Sequence, residues 1–183
     1  MRKPWIFGYG SLMWRPGFAF EHRRVAAVRG WQRRFWQYSP DHRGIPEHPG
    51  LVVTLIEAVA ATCHGIAYQP VETQRQQIMA ELDVREQNGY DLVEVSVEFE
   101  DGEVAEGVTY VASPSNPSFS GPLSNANIAR RIVTAHGPSG SNREYLEALG
   151  HCLAEIGKSD EHVTRLCEVL AQQSAPEFKQ GSR

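Results

Sequence analysis

Two features of the chain could do chemistry together: a glycine-flanked turn near its start and a glutamate far along it. Trp5-Ile6-Phe7-Gly8-Tyr9-Gly10-Ser11-Leu12-Met13-Trp14 runs from an aromatic and β-branched strand into Gly-x-Gly-Ser. Two glycines free the backbone for a sharp turn. Such a turn can aim several N–H groups into one concavity and hold an anion without a cation. Taken alone, it reads first as a plain strand-ending turn.

The glutamate lies in Ile78-Met79-Ala80-Glu81-Leu82-Asp83-Val84-Arg85-Glu86-Gln87-Asn88-Gly89-Tyr90. At about 100° per residue, Ile78, Leu82 and Met79 mark the apolar face of a helix. If the helix persists for one more turn, Glu86 falls between Leu82 and Met79 and points toward the core. Burial without a charge partner would raise its pKa toward the range useful for proton transfer. If the helix ends at Val84, Glu86 is a solvated residue of the turn into Tyr90. Spacing leaves both readings open.

Other constellations carry less. Ser11 sits in no GxSxG elbow, and the seven histidines show no HxxxH or HxH ligand spacing. Gly8-Tyr9-Gly10-Ser11 lacks the Lys of a phosphate loop and the third Gly of a dinucleotide fingerprint. Cys63 falls in a predicted strand and reads as a small core residue. His136-Gly137-Pro138-Ser139-Gly140 reads first as a helix-stopping loop and second as a substrate wall. No metal and no cofactor are expected. What remains suits a reaction in which the substrate supplies its own nucleophile and the protein moves one proton.

These residues need a scaffold. Strands are predicted over 5–9, 25–38 with a bend near Gly30, 51–58, 62–68, 92–99 and 104–111. Asp101-Gly102 turns the last pair into a hairpin. One helix is predicted over 73–84, with Thr73 and Gln76 at capping-box spacing. Beyond a Pro/Ser/Asn-rich loop over 112–124, long enough to act as a flap or site wall, come helices over 128–135, from Ser141-x-x-Glu144 toward Ile156, and over 160–173. The expected fold is α+β, a curved or barrel-like mixed β-sheet with packed helices. It occupies one domain over 1–174, with a flexible tail over 175–183.

The 183 residues suffice for one well-cored domain. Three scattered cysteines, with no CxxC, suit a reducing compartment. No stretch approaches the roughly 20 apolar residues of a membrane span, and a cytoplasmic monomer or weak dimer is expected. Charge is uneven. Residues 1–43 hold nine Lys/Arg against Glu21 and Asp41, whereas the remainder holds nine against twenty acids. Arg33-Arg34-Phe35-Trp36-Gln37-Tyr38 could suggest nucleic acid. The alternative, strand alternation with arginines outward and apolar residues inward, fits a net-acidic chain better. A small anionic metabolite is the expected partner, with no nucleic acid and no membrane.

Phe7-Gly8-Tyr9-Gly10-Ser11-Leu12-Met13-Trp14 resembles the signature of the γ-glutamylcyclotransferases. Arg33-Arg34-Phe35-Trp36-Gln37, Asp41-His42-Arg43-Gly44, Pro49-Gly50-Leu51-Val52-Val53-Thr54-Leu55, Arg85-Glu86-Gln87-Asn88-Gly89-Tyr90 and Gly137-Pro138-Ser139-Gly140-Ser141-Asn142-x-Glu144-Tyr145-Leu146 are similar to its ChaC branch. The blocks follow one order from residue 5 to about 146. Asn88, where several relatives carry Gly, is a departure that Asn's tolerance of positive φ accommodates. The resemblance implies a glutathione-specific enzyme releasing 5-oxoproline and Cys-Gly. It implies Glu86 as catalytic acid/base and Ile6, Phe7, Gly8, Tyr9, Gly10 and Ser11 as the lining of the γ-glutamyl site. Tyr145 is a further expected substrate contact, and Arg34 another. Two alternatives stand beside it: a cyclotransferase for other γ-glutamyl amines or dipeptides, and a non-catalytic binding module using the basic-aromatic segment.

Overall fold

A computed structural model describes residues 4–86 and 89–174. Its centre is a closed five-stranded barrel in the order β1-β3-β2-β4-β5. The strands are β1 (Trp5–Gly8), β2 (Phe20–Ser39), β3 (Gly50–Pro70), β4 (Tyr90–Phe99) and β5 (Val104–Ala112). All neighbours are antiparallel except β1 and β5, which pair in parallel and close the barrel. Helix α1 (Arg75–Arg85) lies between β3 and β4, and α2 (Asn125–Thr134), α3 (Asn142–Glu155) and α4 (Glu161–Ser174) follow β5. The last three pack on one another, α2 and α3 also against β3. A two-residue ribbon at 136–137 and 140–141 separates α2 from α3.

Five barrel strands appear where six were expected, because 51–58 and 62–68 are two stretches of one strand. The pairing jumps from Arg29↔Thr62 to Trp31↔Glu57, so residues 58–61 have no registered partner on β2. Gly30 takes up the opposite side of this irregularity at φ +80°, a left-handed conformation that favours glycine. The bend expected there is present.

The capping box expected at Thr73 does not form. A 3₁₀ turn at Glu72–Gln74 precedes α1, whose N-cap is Gln74 with no side-chain bond. The box at Ser141 does form, with Glu144 N–H donating to Ser141 Oγ (3.1 Å) and Ser141 N–H to Glu144 Oε2 (2.8 Å). The loop expected over 112–124 lies against β2. Tyr38 N–H donates to Ser118 O and Ser120 N–H to Trp36 O, both at 2.8 Å, so it runs along β2 as a short strand would. The proposed tail, 175–183, lies outside the described residues.

One outward prediction reverses. Strand parity places Arg33 with Phe35, Gln37 and Ser39 on the buried face of β2, while Arg34 is half-buried. Elsewhere the charge asymmetry resolves into pairing within the chain: Arg24 with Asp101 and Glu103, Arg29 with Glu98, Arg33 with Asp160.

Candidate active site

The turn after β1 is held from both ends of Tyr9. Its buried hydroxyl donates to Tyr110 O (2.6 Å), and its carbonyl accepts from Arg33 Nε (2.7 Å). Arg33 is itself fixed by His64 O (2.5 Å) and Asp160 Oδ2 (2.7 Å). The chain then enters a 3₁₀ turn, Ser11–Met13. The first internal bond of that turn is Met13 N–H to Gly10 O (2.9 Å). The N–H groups of Ser11 and Leu12 precede it, as the first donors of any helix do.

Gly8 and Gly10 are not needed for left-handed φ; neither has positive φ. They are needed for room. A Cβ on Gly8 would lie 2.7 Å from Leu12 Cβ, and one on Gly10 would lie 2.9 Å from both Tyr145 Oη and Val53 Cγ2. Tyr145 is brought there by the first turn of α3. Asn142, fully buried, accepts from Leu51 N–H (2.6 Å) and donates to Leu51 O (2.7 Å), fastening the helix start to β3.

Glu86 arrives from the opposite side. Helix α1 ends at Arg85, and Glu86 is its C-cap, its N–H bonded to Leu82 O (2.8 Å). The side chain is 18% exposed. Neither sequence alternative describes it fully: the helix stops, yet the carboxyl is turned inward. Arg85 ties this helix end to the turn segment, reaching Ser11 Oγ (2.9 Å), Arg15 O (3.2 Å) and Pro16 O (3.1 Å). Asp83 accepts from Tyr110 Oη (2.6 Å) and so joins α1 to β5.

Turn and helix end share one cavity of about 290 Å³, near the lower bound of small-molecule clefts. Phe7, Tyr9, Gly10, Ser11, Glu86 and Tyr145, all expected site residues, line it. Ile6 and Gly8 do not. Ile6 packs with Leu12, Ile78 and Leu82, which seats α1 against β1. Arg34 does not either; it bonds Arg33 O and Gln32 and borders a separate concavity near Asp160 and His162. Sequence reasoning missed Gln37, Arg43, Arg85, Tyr90 and Tyr110 as cavity residues. Strand parity with Phe35 was the available signal for Gln37. Arg43, Arg85 and Tyr90 stand in the blocks that carry the family resemblance; for Tyr110 the folded contacts are the only signal.

The electrostatics are those of a buried, phenol-lined chamber. Burial pushes the Glu86 carboxyl above the usual range; Arg85 and His42 oppose this, and Asp41 adds to it. Burial also holds Tyr9 and Tyr90 well above the ordinary phenol value. Tyr145 is pushed up to about 12 by burial, against a backbone bond from Val53. These phenols stay neutral donors. Arg43 supplies positive charge on the wall, its cation 5.5 Å from the Tyr145 ring centre.

A hydrolase-like trio at the rim has the composition but not the geometry. His42 Nδ1 lies 3.0 Å from Ser139 Oγ, but Asp41 is 3.7 Å from His42 Nε2, beyond hydrogen-bond reach, and His42 is 57% exposed. Among the described residues, no group of His, Cys, Asp and Glu is placed to hold a metal ion. No helix among them is long and apolar enough to cross a membrane.

Known proteins resemble this chain. A family model described as ChaC-like protein matches residues 4–173. The chain is 41% identical over 172 residues to glutathione-specific γ-glutamylcyclotransferase 1 of Homo sapiens, covering 91% of this chain and 78% of that one. It is 33% identical to the glutathione-specific γ-glutamylcyclotransferase of Saccharomyces cerevisiae, covering 91% and 95%. A crystal structure of the yeast γ-glutamyl cyclotransferase specific to glutathione superposes with a TM-score of 0.86 at 31% identity, covering 92% of this chain and 96% of that chain.

Proposed function

The chain belongs to the ChaC-like protein family, and from that premise we propose that it is a γ-glutamylcyclotransferase acting on glutathione. It closes the γ-glutamyl group to 5-oxoproline and releases Cys-Gly. The supporting observation is the pairing, in one cavity, of a buried Glu86 with the turn that follows β1.

In the proposed reaction, ionised Glu86 takes one proton from the substrate's α-ammonium. The free amine attacks its own γ-carbonyl carbon, forming the ring C–N bond and an oxyanion. Collapse of that oxyanion breaks the bond to the cysteinyl nitrogen, and protonated Glu86 returns its proton to the departing amine. After attack the ring nitrogen still carries a second proton; Glu86, ionised again, takes it and passes it to the released amine, which departs as an ammonium, so two protons cross from nitrogen to nitrogen through one carboxyl. Its burial brings its basicity closer to that of the amine it serves. Because attack is intramolecular, holding the chain folded back supplies much of the acceleration.

Phe7, Tyr9, Gly10, Ser11 and Tyr145 form the γ-glutamyl lining. N–H groups of the turn at residues 8–11 receive the oxyanion or the α-carboxylate. Ile6 and Gly8 act from behind, by packing. Arg15 and Arg43 on the wall suit substrate carboxylates. No cofactor is required. The proposed setting is one domain over 1–174, cytoplasmic, as a monomer or weak dimer; Cys63, Cys152 and Cys167 are free thiols, consistent with a reducing compartment.

Purified protein with glutathione and no added metal is expected to yield equal amounts of Cys-Gly and 5-oxoproline. Glu86→Gln is expected to lower turnover by at least about 10³-fold with native circular dichroism, since general acid–base groups contribute about 10²–10⁴-fold per role. Retention of most turnover in that variant would refute the mechanism. A panel of γ-glutamyl amines and dipeptides fixes the breadth of the leaving group.

A further inference from the structure

Three buried side-chain atoms have no hydrogen-bond partner among the described residues: Trp36 Nε1, Gln37 Oε1 and Arg75 Nη1. Of these residues, only Gln37 lines the cavity that holds Glu86. It is 1% exposed. Its position follows from β2, where it shares the inner face with Arg33 and Phe35 and sits opposite Val52 of β3. A pairing irregularity between Arg34 and Gln37 shifts the strand at this point.

A native fold rarely buries an unpaired amide oxygen, because desolvation is unfavourable and nothing offsets it. Such a group calls for a donor that arrives later. The rest of the wall supplies few candidates. The Tyr9 and Tyr90 hydroxyls donate to Tyr110 O (2.6 Å) and Val53 O (3.4 Å). Arg43 donates to Ser141 O (3.1 Å), and Arg85 to Ser11 Oγ and two carbonyls. A γ-glutamyl peptide brings the missing complement. Its α-ammonium carries three N–H donors, and Glu86 removes only one proton before attack.

We propose that Gln37 is a substrate-binding residue whose side-chain oxygen accepts from the α-amino group of the γ-glutamyl moiety. The contact survives deprotonation, because the neutral amine keeps two N–H groups. It therefore holds the nucleophile while leaving its lone pair free for the γ-carbonyl. Recognition of a free α-amine is the specificity that results: a γ-linked acyl chain without one leaves the amide unpaired. This inference rests on the reading of the cavity as a γ-glutamyl site.

The test compares wild type with Gln37→Met, which preserves the shape of the side chain and removes its polar atoms. Two ligands are used: glutathione, and glutaryl-Cys-Gly, which lacks the α-amino group and cannot cyclise. The variant is expected to melt at or above the wild-type temperature, since an unpaired buried polar group has been removed. Its KM for glutathione is expected to rise about 10-fold or more, as hydrogen bonds to charged groups allow. The Kd of glutaryl-Cys-Gly, measured by calorimetry, is expected to stay within about twofold, because the contact it lacks is the one deleted.

A lower melting temperature with unchanged KM, or a variant that does not fold, would overturn the proposal and make Gln37 a structural amide. Equal weakening of both ligands would overturn the contact with the amine. Wild-type turnover of glutathione separates the two levels. If it is absent, the cyclotransferase reading fails and takes this inference with it; if it is present, only the role of Gln37 is at stake.

Discussion

Replacing Arg33 with methionine should cost the fold about 4 kcal/mol and release the turn at Tyr9 at the same time. Its side chain is fully buried, and its partner Asp160 is 14% exposed. Removing one member of a buried ion pair costs about 3–5 kcal/mol because the other charge is stranded. Asp160 reaches water on one side, which places its share near the lower limit. The carbonyls of Tyr9 and His64 also lose their donor, at about 0.5 kcal/mol each. Asp160→Asn isolates the charge, since Asn can still cap α4 by accepting from Val163 N–H, as Asp160 Oδ1 does at 3.2 Å. That variant should cost about 2 kcal/mol, leaving Arg33 on its two carbonyls. The double variant strands no charge and should cost about 3 kcal/mol, well short of the sum, a coupling of about 3 kcal/mol. Urea unfolding followed by tryptophan fluorescence measures all four proteins. Arg33→Met alone should lower Tm by roughly 10 °C, at about 2–4 °C per kcal/mol for a chain of this size. Additivity within about 0.5 kcal/mol, or an Arg33→Met cost below about 1 kcal/mol, would refute the account of how the turn is held.

At Gly10, an alanine Cβ would meet Tyr145 Oη and Val53 Cγ2 at 2.9 Å. Overpacking of this kind costs about 1–3 kcal/mol, and displacing the turn by a fraction of an ångström should lower kcat/KM by about 10²-fold; an alanine variant with wild-type kinetics would show that the approach is not tight. His162 accepts from Phe35 N–H (3.1 Å), and burial holds its pKa down to about 4 from an ordinary 6.5. A folded value below the unfolded one means that this contribution is whole above about pH 6.5 and is lost as pH falls toward 4. Tm measured between pH 7 and 4 should therefore fall more steeply for wild type than for His162→Gln, and parallel slopes would exclude the effect. Glu86 carries the opposite sign. Its carboxyl is raised above 4.5, so its ionisation weighs against the fold increasingly as pH rises through the folded value. Glu86→Gln should accordingly melt at or above wild type at pH 7, and a clear drop would contradict the burial argument.

The barrel was largely legible because its strands alternate clearly and its turns carry Gly at Gly30 and Asp101-Gly102. What misled was local pattern without tertiary register. Thr73/Gln76 and Ser141/Glu144 share one capping spacing, yet a 3₁₀ turn at Glu72–Gln74 displaces the first. Arg33 was placed outward because a buried cation is costly. Its three acceptors come from positions separated from it by 24, 31 and 127 residues, and no window of sequence contains them. The same parity that buries Phe35 would have turned Arg33 and Gln37 inward had it been weighted above charge. Glu86 was legible as a residue on an apolar face. That it caps the helix and still faces a cavity depends on Arg85 meeting Ser11, a contact that only the closed barrel makes.

The parallel junction between β1 and β5 also sets the order of assembly. Ile6 pairs with Tyr68 on one side and Val108 on the other, so the first strand waits for partners made long after it. At about 5–20 residues per second, roughly 5–20 s of synthesis separate Ile6 from Val108. Until β5 emerges, the aromatic stretch from Trp5 has no second edge to join. Pairings this distant in sequence form slowly. The turn that opens the site is thus among the earliest segments synthesised and among the later ones to be locked. A truncated or stalled chain ending before β5 carries that turn without the barrel that shapes it, so catalytic competence is gained only at closure.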